Sequence, residues 1–108
     1  MMIRLLAIMM AVALATPVQA AGNAAAGQEK SKACAACHGA DGNAPTTPDF
    51  PRLAGQHQDY LFKSLRDYKA GTRKNAVMQG QVANLSRQDM LDLAAFYAKQ
   101  KGQLYVTR

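Results

Sequence analysis

The chain has two cysteines, and both fall within five consecutive residues, Cys34-Ala35-Ala36-Cys37-His38. A pair this close cannot staple distant parts of a fold. A disulfide between them would close a tiny loop and contribute little stability. A thioredoxin-type redox pair needs a strand–helix–strand frame, which is absent here. A structural zinc ion would take Cys34, Cys37 and His38 and then lack a fourth ligand, since the only other histidine is His57. The fourth reading is C-x-x-C-H as the signature of covalent haem attachment. Each thiol adds across one vinyl group of the same porphyrin, and the adjacent imidazole of His38 is held beneath the iron.

The rest of the chain favours that reading because it is short of core. Of the 108 residues, the first twenty form a removable leader, leaving 88. Those 88 contain only 19 large apolar side chains: seven Leu, three Val, two Met, three Phe and four Tyr. A domain of this size is marginal without a disulfide, metal, cofactor or partner. Few β-branched residues argue against a sandwich or a buried parallel sheet, while Ala, Leu, Lys and Gln favour helices. The expectation is a small helical domain whose missing core is the haem.

Residues 1–20 carry Arg4, an uncharged run from Leu5 to Ala15, Pro17, and small side chains at Val18 and Ala20. This is the secretory pattern. Eleven apolar residues fall well short of the ~20 a bilayer span needs. The expected product is soluble, periplasmic and free of a membrane anchor, beginning at Ala21. Loss of Arg4 lowers the formal charge from +6 to +5.

Ala24 to Ala36 is rich in Ala and Lys and reads as a first helix. Gly39 to Gly55 holds Pro45, Pro48 and Pro51 with three glycines, and reads as a loop. A second helix is expected over Gln58 to Ala70, with Leu61, Leu65 and Tyr68 on one face and Gly71 as its stop. Thr72 to Asn84 reads as irregular. A last helix starts at the N-cap Ser86, with Asp89 completing a variant capping box. Leu85 and Met90 occupy the positions of a hydrophobic staple. Met90, Leu93, Ala94 and Tyr97 share a face, and Gly102 is the expected end.

Four segments carry a family resemblance: CAACHGADG from Cys34, FPRLAGQ from Phe50, YLFKSLRDYKAGTR from Tyr60 and VMQGQVANLSRQDMLDLAAFYA from Val77. The chain resembles class I cytochromes c, nearest to the short bacterial cytochrome c-553 type and to one half of the dihaem cytochrome c-4 type. The resemblance spans about Ala25 to Gly102. It implies an all-α fold, three main helices and loops wrapped around one covalently bound haem c, in a single domain over 21–108. It gives the carbonyl of Pro51 the role of accepting a hydrogen bond from His38, with Leu53 packing on the haem. It implies a close helix crossing of Gly27 with Phe96 or Tyr97. A single C-x-x-C-H means that the chain departs from a dihaem protein.

The mature chain offers two methionines as sixth ligand. Met90 has a structural position at the staple, whereas Met78 lies in the irregular Gly-containing stretch. The resemblance also places the ligand at Met78. Met90, His57 and an open position are the alternatives. With His38 and Met78 on the iron there is no site for substrate, which points to a one-electron carrier rather than an enzyme. A catalyst or sensor would need a vacant distal position and a placed acid–base group. A subunit of a larger redox complex is the other alternative. Lys63, Arg66, Lys69, Arg73 and Lys74 are clustered, and four of them advance by three or four residues along one helix stripe. They suit an acidic redox partner. Export points away from nucleic acid as a partner.

Overall fold

The computed structural model describes residues 22–102, so the leader, its cleavage point and the new start at Ala21 lie outside the described residues. Within them the chain forms five helices and no strand: α1 Ala24–Lys30, α2 Lys32–His38, α3 Gln58–Ala70, α4 Ala76–Val82 and α5 Arg87–Lys99. None of these is long and apolar enough to cross a membrane.

The single first helix expected over Ala24–Ala36 is instead two helices meeting at Ser31 and continuing to His38. The cause is local. The Ser31 hydroxyl donates to the Gln28 carbonyl at 2.7 Å. Its backbone N–H is shared between the carbonyls of Gly27 and Gln28 at 2.9 and 3.3 Å. Side-chain back-bonding of this kind tightens and interrupts a helix.

The second expected helix is α3, closed by Gly71 in the left-handed conformation. The irregular stretch expected over Thr72–Asn84 is a correction: it contains α4. Asn75 caps it, its side chain accepting from the N–H groups of Val77 and Met78, which offsets the poor helix propensity of Gly80. The capping box of α5 is complete. Ser86 Oγ accepts from the Asp89 N–H at 3.0 Å, and Asp89 Oδ2 accepts from the Ser86 N–H at 2.9 Å. Helix α5 stops at Lys99 rather than running to Gly102, because Gln100 is extended. Gly102 has another reason to be small: a Cβ there would lie 2.9 Å from the Ala54 carbonyl oxygen.

Helix α5 is the centre of the fold, with α1 and α3 packed on it and α4 on α3. The core joins Leu61 of α3 to Leu93, Ala94, Phe96 and Tyr97 of α5, with Cys34, Leu53, Phe62 and Leu65 at its margin. Among the described residues, Leu93 and Val82 are the largest side chains that are fully enclosed. Helix α1 crosses α5 at Gly27. A Cβ on Gly27 would sit 2.0 Å from the Asp92 carbonyl oxygen and 2.8 Å from Phe96 Cβ, which makes Phe96 the aromatic at the crossing.

A polar clamp secures the same crossing. Asp92 is 3% exposed. It accepts from the Asn23 N–H at 2.8 Å, the Lys30 ammonium at 2.6 Å and the Gln88 amide at 2.8 Å. Burial pushes its carboxyl up, but Lys30, Asn23 and Gln88 outweigh this and hold it below the usual carboxylate range. Lys30 also reaches Asp89 at 2.9 Å.

Candidate haem site

Helix α2 places Cys34, Cys37 and His38 on its last two turns. The two cysteines are not joined to each other and are half-buried, and His38 is 4% exposed. A buried imidazole needs a partner for its polar nitrogens. The loop after α2 provides one. Gly39 turns the chain with φ +86°, in a place where a Cβ would meet Ala44 backbone at 2.9 Å. The Thr46 N–H then bonds the Cys37 carbonyl at 3.0 Å, and the Leu53 N–H bonds the Gly42 carbonyl at 2.9 Å. The folded-back loop brings the Pro51 carbonyl oxygen to 2.7 Å from His38 Nδ1. A carbonyl can only accept, so Nδ1 carries the proton and Nε2 keeps its lone pair. Phe50 packs edge-on against the imidazole, ring centroids 6.0 Å apart.

Burial pushes the Cys34 thiol up, with the Tyr97 hydroxyl partly opposing it. Burial, then Cys34 beside it, pushes the Tyr97 phenol up in turn. The Tyr97 hydroxyl is buried and, among the described residues, has no partner of hydrogen-bond geometry. Leu53 lies with Cys34 at the margin of the core. Met78 stands apart on α4, half-buried, on a helix that packs chiefly on α3. Met90 is 5% exposed on α5, and His57 is exposed just before α3. The structure therefore gathers Cys34, Cys37, His38, Pro51 and Leu53 in one region, and holds Met78 on a separate helix.

These residues fit a covalently attached haem. Two thiols stand three residues apart on one helix, an imidazole nitrogen has a free lone pair, and half-buried apolar side chains border a core too thin for its helices. An open cleft of about 600 Å³, lined by Asn43, Thr46, Phe50, Pro51 and Arg52, has none of the cysteines, His38 or Met78 in its lining. Among the described residues no group of three His, Cys, Asp or Glu side chains could hold a bare metal ion. The sequence reading missed Asn75 at the start of α4: Asn is a favoured N-cap residue, but beside Gly80 and a run of polar residues it does not by itself mark a helix.

Fold and site together define a small all-helical domain for covalent haem. The cytochrome c family model matches residues 24–101, and the chain belongs to that family. Its prosthetic group is haem c, covalently bound, with two cysteines present for the thioether bonds. Cytochrome c4 of Pseudomonas aeruginosa is 50% identical over 97 residues, covering 90% of this chain and 48% of that protein. Cytochrome c-554(548) of Halomonas halodenitrificans is 43% identical over 84 residues, covering 75% of this chain and all of that protein. The crystal structure of reduced recombinant cytochrome c4 from Pseudomonas stutzeri superposes with a TM-score of 0.72 at 47% identity, over 78% of this chain and 48% of that one. The chain thus spans about half the length of its cytochrome c4 relatives.

Proposed function

We propose that this chain is an exported, soluble one-electron carrier with a single haem c. In this reading Cys34 and Cys37 hold the haem, His38 and Met78 ligate the iron, Pro51 orients His38, and Leu53 packs on the porphyrin. The observation that carries the reading is the 2.7 Å contact of His38 Nδ1 with the Pro51 carbonyl. It fixes the tautomer and makes Nε2 a better donor to a metal. When bound, the haem supplies a one-electron couple, which a His/Met ligand pair places at high potential. The chain's own residues bury and orient the group and leave no open position for substrate.

The leader is removed after Ala20 in the periplasm. The expected partners are redox proteins with acidic docking surfaces, met by the cations of α3 and its flanks. Lys63 is paired with Asp67 at 2.5 Å, Lys69 donates to the Leu85 carbonyl, and Arg73 lies over the Tyr68 ring. Arg66 stacks on Phe62 at 5.4 Å, joined there by Arg87 at 5.0 Å. Stacking leaves guanidinium edges available to carboxylates. Intact-mass measurement on periplasmic material should give residues 21–108 plus one haem. Release of the haem by acid–acetone would refute covalent attachment, and a mass retaining residues 1–20 would refute cleavage.

A further inference from the structure

Met78 sits half-buried in the first turn of α4, a short helix that packs chiefly on α3. Residues 72–77 are all exposed, and Val77 is 53% exposed. Helix α4 is seven residues long, far below the length at which a helix is stable alone. Gly80 weakens its middle, and a Cβ there would meet none of the described residues within 4 Å, so their packing does not require a glycine. Besides the packing of α4 on α3, two fixtures hold it. Val82, 1% exposed, anchors the far end. At the near end Asn75 Oδ1 accepts from the N–H of Val77 at 3.1 Å and from that of Met78 itself at 3.1 Å.

We infer that Asn75 is the positioning residue for Met78: its side-chain oxygen pins the backbone of the ligand and so sets how firmly the thioether is held to the iron. The inference rests on Met78 being the sixth ligand. The thioether is a weak donor, and its hold on iron depends on the entropy already removed from the segment that presents it. Losing the cap frees that segment and shifts the equilibrium toward a competing ligand. A cap is worth about a five- to tenfold change in such an equilibrium. Gly80→Ala acts in the opposite sense by stiffening the same helix, without touching Asn75 or Met78.

The test is competition by imidazole for the oxidised holoprotein, read as loss of the far-red sulfur-to-iron band. Asn75→Ala should bind imidazole about five- to tenfold more tightly than wild type. Asn75→Asp and Asn75→Ser, which retain a capping oxygen, should stay near wild type, and Gly80→Ala should bind it more weakly. Amide exchange at Met78 should speed up in Asn75→Ala alone, while guanidinium unfolding separates this from general loss of stability. Wild-type imidazole affinity in Asn75→Ala overturns the inference even when Met78→Ala abolishes the band. A far-red band that survives Met78→Ala overturns the ligand assignment, and this inference with it.

Discussion

Gly27 and Gly80 lie inside helices α1 and α4, and the same substitution should move stability in opposite directions at the two sites. On helix propensity alone, alanine would stabilise either position by about 1 kcal/mol. At Gly80 none of the described residues opposes this, because a Cβ would meet none of their atoms within 4 Å. At Gly27 the Cβ would lie 2.0 Å from the Asp92 carbonyl oxygen and 2.8 Å from Phe96 Cβ. Neither is the free end of a flexible side chain. A carbon needs about 3.3 Å from a carbonyl oxygen, so α1 must withdraw by more than about 1 Å. Overpacking of this kind typically costs about 1–3 kcal/mol. Withdrawal also stretches the bonds from Asn23 and Lys30 to Asp92, now 2.8 and 2.6 Å, and bonds to a charged group contribute about 1.5–3 kcal/mol. After the propensity gain, Gly27→Ala should destabilise by roughly 1.5–5 kcal/mol. Gly80→Ala should stabilise by up to about 1 kcal/mol. Guanidinium unfolding of the holoproteins, followed by far-UV circular dichroism at constant slope, measures both. A Gly27→Ala protein as stable as wild type would show that the crossing is not the close contact described.

Three other outcomes are expected. Asp92 is held below the usual carboxylate range in the folded chain, so its clamp stabilises at pH above about 4 and is lost as pH falls through the depressed value; Lys30→Met should destabilise by about 2 kcal/mol at pH 7 and by clearly less near pH 2, and an equal loss at both pH values would refute the clamp. Met78→Ala should abolish the far-red band and lower the reduction potential, whereas Met90→Leu should keep both and lose less than about 1.5 kcal/mol; the reverse pattern would reassign the ligand. Electron transfer to an acidic partner should slow as salt rises, over a Debye length of roughly 8–10 Å, and Arg66→Gln with Arg87→Gln should slow it at low salt with an unchanged haem spectrum; equal stopped-flow rates would reduce these arginines to an ordinary solvated face.

What the sequence disclosed depended on whether a residue's role is local. Ser86 and Asp89 form their box at fixed spacing with backbone three residues away, so α5 could be placed from residue types alone. Gly71 closed α3 for the same reason. Ser31 is equally local, but one serine in an alanine-rich run is a weak signal, and the break it makes went unread. Helix α4 was hidden because Gly80 and the exposed residues before it resemble a loop, while Asn75 acts through backbone groups that have no signature of their own. Asp92 was invisible for a different reason. An aspartate on an amphipathic helix reads as solvated, and only the crossing of α1 at Gly27 buries it. The choice of Phe96 over Tyr97 needed the same crossing. The pairing of His38 with Pro51 came from family resemblance, since thirteen residues of loop separate the two and no periodicity relates them.

The clamp between α1 and α5 also sets an order of events. Asn23 reaches Asp92 across 69 residues, and Lys30 reaches it across 62. Among the described helices α1 packs chiefly on α5 and only slightly on its neighbour α2, so its main docking partner is the last of them. Contacts so distant along the chain are reached only after a large loop has closed, which slows folding compared with a bundle of sequential neighbours. A chain truncated before Ser86 would retain α1 to α4 and lose the helix on which both α1 and α3 rest. Cys34 and Cys37, which directly follow α1, therefore belong to a segment that becomes anchored late, when the two ends of the domain meet.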